Sequence, residues 1–424
     1  MEKDLRIKRL ESIKAKAEPY KKEDILYKEK LSLLPAYRIP VELLVYNKYN
    51  GRILSMVKSF ERQYRTLDPE HESDKTVIED FLWESKPDRN KATLVDLANY
   101  GQKRVGIVTR DGIIIDGNRR ASLLIRNAKE KNTSPTYFNA VILDDTLDDN
   151  PQEIMKLETM YQMGEDEKLD YNPIEKYLKC KDLIENGFIE AQIGKMMRES
   201  ESKIQEWLSI MKLMDNYLDE LGYSSIYTRL EGREGHFVDM NRYINKYETG
   251  TSLTDWVYKQ SDISDLKAIC FDYIRAQYEG KEFRAIGLPS KKESFFCKKR
   301  VWEKFRDDHF RQIDALSKDE PSIEALRARE QNGDLSQILR VRDDDWTNRA
   351  KGLLKGNLHR SQRALDDINE ENAPFELLRR AKDTLNSINT ESEAFYEGED
   401  VGRLIKEIGS IAWNFQQLLK RRKR

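Results

Sequence analysis

The sequence predicts an α+β protein, with a small mixed α/β domain near the N-terminus, then a helix-turn-helix, then a mainly α-helical C-terminal half. Two patterns carry this prediction. Short β-branched runs separated by turns lie between Ile39 and Asp144, and apolar residues recur at helical spacing after Asn150. Charged residues make up 35% of the chain. This exceeds the roughly 25% of an average globular protein and suits long helices with solvated outer faces.

Composition excludes several function classes. The 74 Lys and Arg residues nearly balance the 76 Asp and Glu residues, so any contact with nucleic acid or membrane would need a local patch. The three cysteines and four histidines are scattered, which disfavours a zinc ribbon, a redox dithiol and a disulfide framework. No apolar run approaches the roughly 18 residues that span a bilayer, and the N-terminus lacks a signal-peptide pattern. We therefore expect a cytoplasmic protein without a membrane partner.

The first expected element is a charged helical lead-in over residues 1–36. A β-hairpin follows, because Arg110-Asp111-Gly112 lies between the β-branched runs Val105–Thr109 and Ile113–Ile115. Two helical patterns and a third candidate strand surround it: Ile53–Tyr64, Ala121–Lys131 and Asn139–Leu143.

Helices are expected from the acidic loop at residues 144–150 to the end of the chain. Asn172-Pro173-Ile174-Glu175 predicts a helix start, with Asn172 as N-cap and Glu175 completing a capping box. Apolar spacing in Glu190–Met197 and Glu201–Met211, on either side of a short turn, predicts a helix-turn-helix. Later elements are expected to be separated by three prolines: Pro289, Pro321 and Pro374.

These patterns divide the chain into four predicted segments. The helical lead-in covers residues 1–36, the mixed α/β domain 37–165, the helix-turn-helix region 166–215 and the helical C-terminal half 216–424. The chain ends in a basic tail, Lys420–Arg424, of a kind that is usually solvated.

The segment Gly112–Ile125 is the most informative for chemistry. An apolar strand leads into a turn at Asp116-Gly117, and Asn118 opens an amphipathic helix. The first N–H groups of a helix have no partner within the helix, glycine lets the backbone approach a ligand, and two arginines match phosphate oxygens. The segment therefore predicts an anion site. The alternative is an ordinary strand–turn–helix whose arginines pair with surface carboxylates.

Asp116–Arg120 (DGNRR) resembles the G-E-R-R-x-x-A box of the ParB N-terminal domain, in the ParB/sulfiredoxin-like superfamily. Upstream, Ile39-Pro40-Val41 and Asn47–Arg52 are similar to the opening strand and loop of that domain. Downstream, Leu169–Met214 resembles the helix and the helix-turn-helix that follow the box. The likeness covers about residues 37–215, with a long insertion near Phe60–Leu97.

This resemblance implies a domain that holds ATP or CTP against the Arg-Arg helix, and some relatives hydrolyse the nucleotide with a divalent cation, here expected to be Mg²⁺. Arg119 and Arg120 would also offset charge that develops during phosphoryl transfer. Asp116 or Glu158 would hold the metal or orient water. The implied nucleotide-binding residues are Asn50, Gly51, Arg52, Gly117, Asn118, Arg119 and Arg120.

The sequence also departs from the family pattern. An E-N-x-x-R element is replaced at Glu158-Thr159-Met160-Tyr161-Gln162, which keeps only the carboxylate. The box has no cysteine, which disfavours sulfiredoxin chemistry. Plainer interpretations stay open: Asp116 as a turn former, Glu158 as a solvated carboxylate, and Asn47–Arg52 as a polar loop.

The second helix of the helix-turn-helix offers few groups that read DNA. Lys203 and Gln205 are the candidates, but Glu199, Glu201 and Glu206 would repel a phosphate backbone. A structural or dimerising role is therefore favoured over base-specific binding.

The expected function is nucleotide triphosphate binding and hydrolysis in a homodimer that acts in DNA processing, partition or anti-phage defence. The setting rests on the resemblance alone. The alternatives are a non-enzymatic DNA-binding or dimerising regulator, a metal-dependent DNA nuclease, and a small-molecule kinase.

Overall fold

A computed structural model describes residues 1–131, 136–163, 172–250, 253–290, 293–329, 334–397 and 400–422. The chain is α+β, as predicted, and divides into two compact units, residues 1–358 and 359–424. The finer boundaries near residues 165 and 215 remain predictions. In the part of the chain that is described, no helix is both long enough and apolar enough to cross a membrane.

Five strands form one mixed sheet in the first unit. Their order is β1-β2-β5-β3-β4. Strand β3 pairs with β5 in parallel, and the other three neighbouring pairs are antiparallel. The strands are β1 (Lys21–Tyr27), β2 (Lys30–Pro40), β3 (Gly106–Val108), β4 (Ile114–Asp116) and β5 (Tyr137–Ile142).

The predicted helical lead-in is correct only for its first half. Helix α1 (Lys3–Lys16) forms, but residues 21–36 lie in the β1–β2 hairpin, whose turn places Lys28 and Glu29 at positive φ. The strands were missed because their outward side chains are mostly charged, so that few apolar residues, such as the buried Ile25, reveal the period of two. Arg6 anchors α1 by donating a 2.5 Å hydrogen bond to the carbonyl of Asp111.

The predicted central hairpin is confirmed. The N–H of Thr109 donates to the carbonyl of Ile113 at 2.9 Å, and Gly112 takes a φ of +84° in the turn. The third strand also forms, one to two residues earlier than expected. Alternate residues of this sheet face two hydrophobic clusters, with Phe138 and Ala140 on one side and Val141 on the other.

Helices cover both faces of the sheet. Helices α1, α2, α3 and α5 contribute to one cluster and α6 to the other. The predicted helices at 53–64 and 121–131 are confirmed. The bounds are α2 (Leu54–Gln63), α3 (Glu72–Glu84), α4 (Pro87–Tyr100), α5 (Asn118–Lys131) and α6 (Pro151–Met163).

Two helices that contact each other form where the helix-turn-helix was predicted, α8 (Glu190–Met197) and α9 (Glu201–Glu220), and α7 (Pro173–Glu185) precedes them. Asn172 caps α7 by accepting from the N–H of Ile174 at 3.1 Å. Glu175 does not complete the predicted capping box, because its side chain points to Ser55 instead. Helix α9 continues beyond the expected end at Met211.

Every described element after β5 is helical, as predicted. The aromatic residues Phe295, Trp302 and Phe305 are buried core residues. Pro289 and Pro321 lie between helices. The prediction for Pro374 was wrong, since it lies inside α15, where Glu370, the residue whose carbonyl loses its helical partner, is exposed to water. The helices are α10 (Glu234–Glu248), α11 (Gln260–Arg275), α12 (Gly280–Gly287), α13 (Lys299–Ser317), α14 (Ile323–Arg329), α15 (Leu335–Asn386), α16 (Glu393–Glu397) and α17 (Val401–Arg422).

Candidate functional site

The DGNRR segment forms the predicted strand–turn–helix. Strand β4 ends at Asp116, Gly117 takes a φ of +105°, and α5 begins at Asn118. The N–H of Ala121 donates to the carbonyl of Gly117 at 2.8 Å, which closes the first turn. Because a helix cannot satisfy its first N–H groups internally, this turn has donors directed beyond its end.

Gly117 is required by packing as well as by its backbone conformation. A Cβ atom at this position would lie 2.6 Å from Cζ of Phe138, and the same ring covers Gly106. Phe138 is fully buried in β5. The need for glycine is therefore explained without a ligand.

Asn118 connects the helix to the opening loop of the domain. Its side chain is buried, its Oδ1 accepts from the N–H of Asn47 at 2.9 Å, and its Nδ2 donates to the carbonyl of Ile114 at 2.8 Å. These bonds use both ends of the side-chain amide. Asn118 thus fixes the position of the loop, and its side chain is committed to that role.

The two arginines of the box lie in different surroundings. Arg120 forms an ion pair with Asp116 at 2.5 Å and donates to the carbonyls of Arg104 and Val105 at 2.6 and 3.2 Å. Arg119 is partly buried in the same turn of α5. The plainer interpretation, an arginine paired with a nearby carboxylate, therefore holds for Arg120. A phosphate that bound Arg120 would compete with Asp116.

The opening loop is closely connected to the box. Asn50 is buried, and its Oδ1 accepts from the N–H of Arg52 at 3.0 Å. The N–H of Gly51 donates to Oε1 of Gln162 in α6 at 3.1 Å, and Nε2 of Gln162 donates to the carbonyl of Ile115 at 2.8 Å. The structure thus brings the predicted residues 50–52 and 116–120 to one place. Gln162, which the sequence showed only as a departure from the family pattern, bridges them.

Glu158 is not a solvated carboxylate. It is 3% exposed, and its Oε2 accepts from Nζ of Lys179 in α7 at 2.8 Å. Burial raises the pKa of Glu158, against the opposing effect of Lys179. Its Oε1 has no hydrogen bond of normal geometry among the described residues, although the N–H of Gly51 is close enough to favour the charged form.

The carboxylates of the site fit a metal ion poorly. The negative charge of Glu158 is already balanced by an ion pair with Lys179, and that of Asp116 by an ion pair with Arg120. No group of three or more metal-binding side chains occurs in the described ranges. Since Mg²⁺ prefers several oxygen ligands, these residues alone do not form a magnesium site.

Of the two candidate DNA-reading residues, Lys203 already makes contacts within α9. Nζ of Lys203 pairs with Glu206 at 2.7 Å, while Ser200 caps α9 by accepting from the N–H of Lys203 at 3.2 Å. Gln205 is exposed. The first turn of α9 therefore presents acidic groups next to its one lysine.

Sequence reasoning missed the polar contacts of α7. Glu175 is buried and accepts from the N–H and the hydroxyl of Ser55, which lie in the first turn of α2. Burial raises the pKa of Glu175 to about 7, against the bonds from Ser55. One turn on, Lys179 binds Glu158, and Asp182 lies 3.5 Å from Lys58. These contacts hold α7 against α2 and α6.

Comparison with known protein families finds no family model that matches the chain, and comparison with curated proteins finds no match either. The likeness to the ParB N-terminal domain therefore stays a prediction that rests on the motifs themselves.

Proposed function

We propose that the N-terminal end of α5, together with the opening loop, binds the phosphates of a nucleotide triphosphate, ATP or CTP. The observation that supports the proposal is that hydrogen bonds join three segments that are distant in sequence. These are the opening loop through Asn47 and Gly51, the start of the box through Ile115 and Asn118, and Gln162 of α6. Phosphate binding at a helix N-terminus next to arginine needs such a preformed backbone.

Binding is better supported than turnover. Arg120 and Glu158, two of the candidate catalytic groups, are each held in an ion pair. We therefore propose no metal-assisted hydrolysis step at this site. A regulator that responds to nucleotide binding thus fits the geometry better than a hydrolase or a nuclease. The setting in DNA processing, partition or defence is part of this proposal and rests on the resemblance.

The test is isothermal titration of the full chain with ATP and with CTP, with and without Mg²⁺, followed by an assay for released phosphate. Arg119→Ala should abolish binding. Lys129→Ala, a matched loss of one positive charge from the exposed side of α5, should leave it unchanged. If neither nucleotide binds the wild-type chain, or if both variants lose binding equally, the proposal fails. Phosphate release with Mg²⁺ would favour the hydrolase over the regulator.

A further inference from the structure

Helix α17 carries an apolar stripe that is exposed in the single chain. Every Leu, Ile and Phe side chain of the stripe, from Leu404 to Leu419, is between 40% and 64% exposed. Folding normally buries such a face, since apolar surface is costly in water. The stripe consists of Val401, Leu404, Ile405, Ile408, Ile411, Ala412, Phe415, Leu418 and Leu419.

The spacing within this stripe is a strict heptad. Three columns repeat every seven residues: Val401, Ile408 and Phe415; Leu404, Ile411 and Leu418; and Ile405, Ala412 and Leu419. The first two columns are the a and d positions of a coiled coil. Position b holds Gly402 and Gly409, each of which costs a free helix about 1 kcal/mol relative to alanine. Helix α17 therefore depends on packing for its stability.

We infer that α17 pairs with α17 of a second copy of this chain, in antiparallel orientation. In one antiparallel register every a residue meets a d residue: Val401 faces Leu418 of the second copy, Leu404 faces Phe415, and Ile408 faces Ile411. The same register repeats these layers on the other side of a twofold axis between Gly409 and Ser410. The stripe is thus complementary to itself, as a symmetric dimer requires.

The charges at the two ends select the orientation. Glu393 and Asp400 lie before or at the N-terminal end of α17, and Lys420 and Arg421 lie in its last turn. In the antiparallel register Asp400 and Arg421 both flank the seam and lie beside each other across the pair, so each basic end meets an acidic end. A parallel pair would place like charges together.

A membrane surface is a less suitable occupant. Helices that bind anionic lipid carry Lys and Arg along their polar face. The polar face of α17 instead contains Glu407, Ser410, Asn414 and Gln417, together with the exposed Trp413, beside its basic residues. This mixed face suits a helix that is solvated on one side and paired on the other.

The test measures the mass of the full chain by sedimentation equilibrium. Wild type should sediment at twice the chain mass of 50.0 kDa, and Ile408→Glu/Ile411→Glu at a single chain mass. Ser410→Glu/Gln417→Glu adds the same charge to the polar face and should remain dimeric. Circular dichroism checks that all variants stay folded. A monomeric wild type, including one that binds anionic vesicles, overturns the proposal, as does equal disruption by both pairs of substitutions.

Disulfide trapping tests the orientation. The three natural cysteines are buried, so an introduced thiol reacts selectively. Val401→Cys/Leu418→Cys should form a covalent dimer under mild oxidation. Leu418→Cys alone should not, because the two sulfurs would be about 25 Å apart along an antiparallel pair. A covalent dimer of Leu418→Cys alone overturns the antiparallel register.

Discussion

Lys179 and Glu158 form a buried ion pair in which Nζ lies 2.8 Å from Oε2, and each side chain is less than 5% exposed. The pair joins α7, which precedes the predicted helix-turn-helix, to α6, which covers one face of the sheet. The Glu158 carboxylate, a predicted metal ligand, thus holds two parts of the first unit together.

Removing one member of this pair should destabilise the protein strongly. Lys179→Met leaves the Glu158 carboxylate buried without compensation, so we expect the free energy of unfolding to fall by about 3–5 kcal/mol in urea titrations. The double variant Glu158→Leu/Lys179→Met should lose less than the single one. Lys203→Met, which breaks an exposed pair on α9, should cost under about 1 kcal/mol. Equal losses for the two single variants would contradict this account.

Glu175 should make stability depend on pH between its ordinary pKa and its raised one. Because the pKa of Glu175 rises from 4.5 to about 7 on folding, its carboxylate binds a proton more tightly in the folded state than in the unfolded state. Its contribution is therefore most favourable below pH 4.5 and is lost as pH rises to about 7. Relative to wild type, Glu175→Gln should gain about 3 kcal/mol between pH 4 and pH 8. A difference that does not change with pH would refute the prediction.

Asp116→Asn should strengthen nucleotide binding. The substitution removes the carboxylate that holds Arg120 and would repel phosphate, so we expect about a tenfold tighter dissociation constant for ATP or CTP in calorimetry. Glu130→Gln, farther along α5, serves as the control and should change nothing. Weaker binding only in the presence of Mg²⁺ would instead assign Asp116 to the metal.

Gln162→Ala should loosen the opening loop. It removes hydrogen bonds to Gly51 and Ile115, and we expect a loss of about 1–2 kcal/mol in stability. Hydrogen exchange at residues 50–52 should become faster, and nucleotide affinity should fall with it. Gln152→Ala, which removes one bond from an exposed position of the same helix, is the matched control. Unchanged exchange would show that the loop is held elsewhere.

The sequence predicted elements whose signals are local. The Asp-Gly turn at 111–112 and the cap at Asn172 depend on neighbouring residues, and both formed as expected. Glu175 shows the opposite case, since the capping-box pattern was present but Ser55, 120 positions away, binds the carboxylate. The β1–β2 hairpin was missed for a similar reason, because its apolar residues become recognisable only against partners such as Val141.

At the candidate site, sequence reasoning found the segments but not their bonds. The loop and the box do come together, through Asn118 and Gln162. That Arg120 would pair with Asp116 was one of two interpretations that the sequence left open, and only the folded geometry decides between them. The partner of Glu158, on a helix twenty-one residues later, could not be inferred from spacing.

The ring of Phe138 also has an evolutionary consequence. It packs against the Cα atoms of Gly106 and Gly117 at once, so a methyl group at either glycine would collide with it. A smaller residue at position 138 would not free the two glycines, because Gly117 would still need its φ of +105° and a Cβ atom at Gly106 would still lie 2.7 Å from the carbonyl oxygen of Asp116.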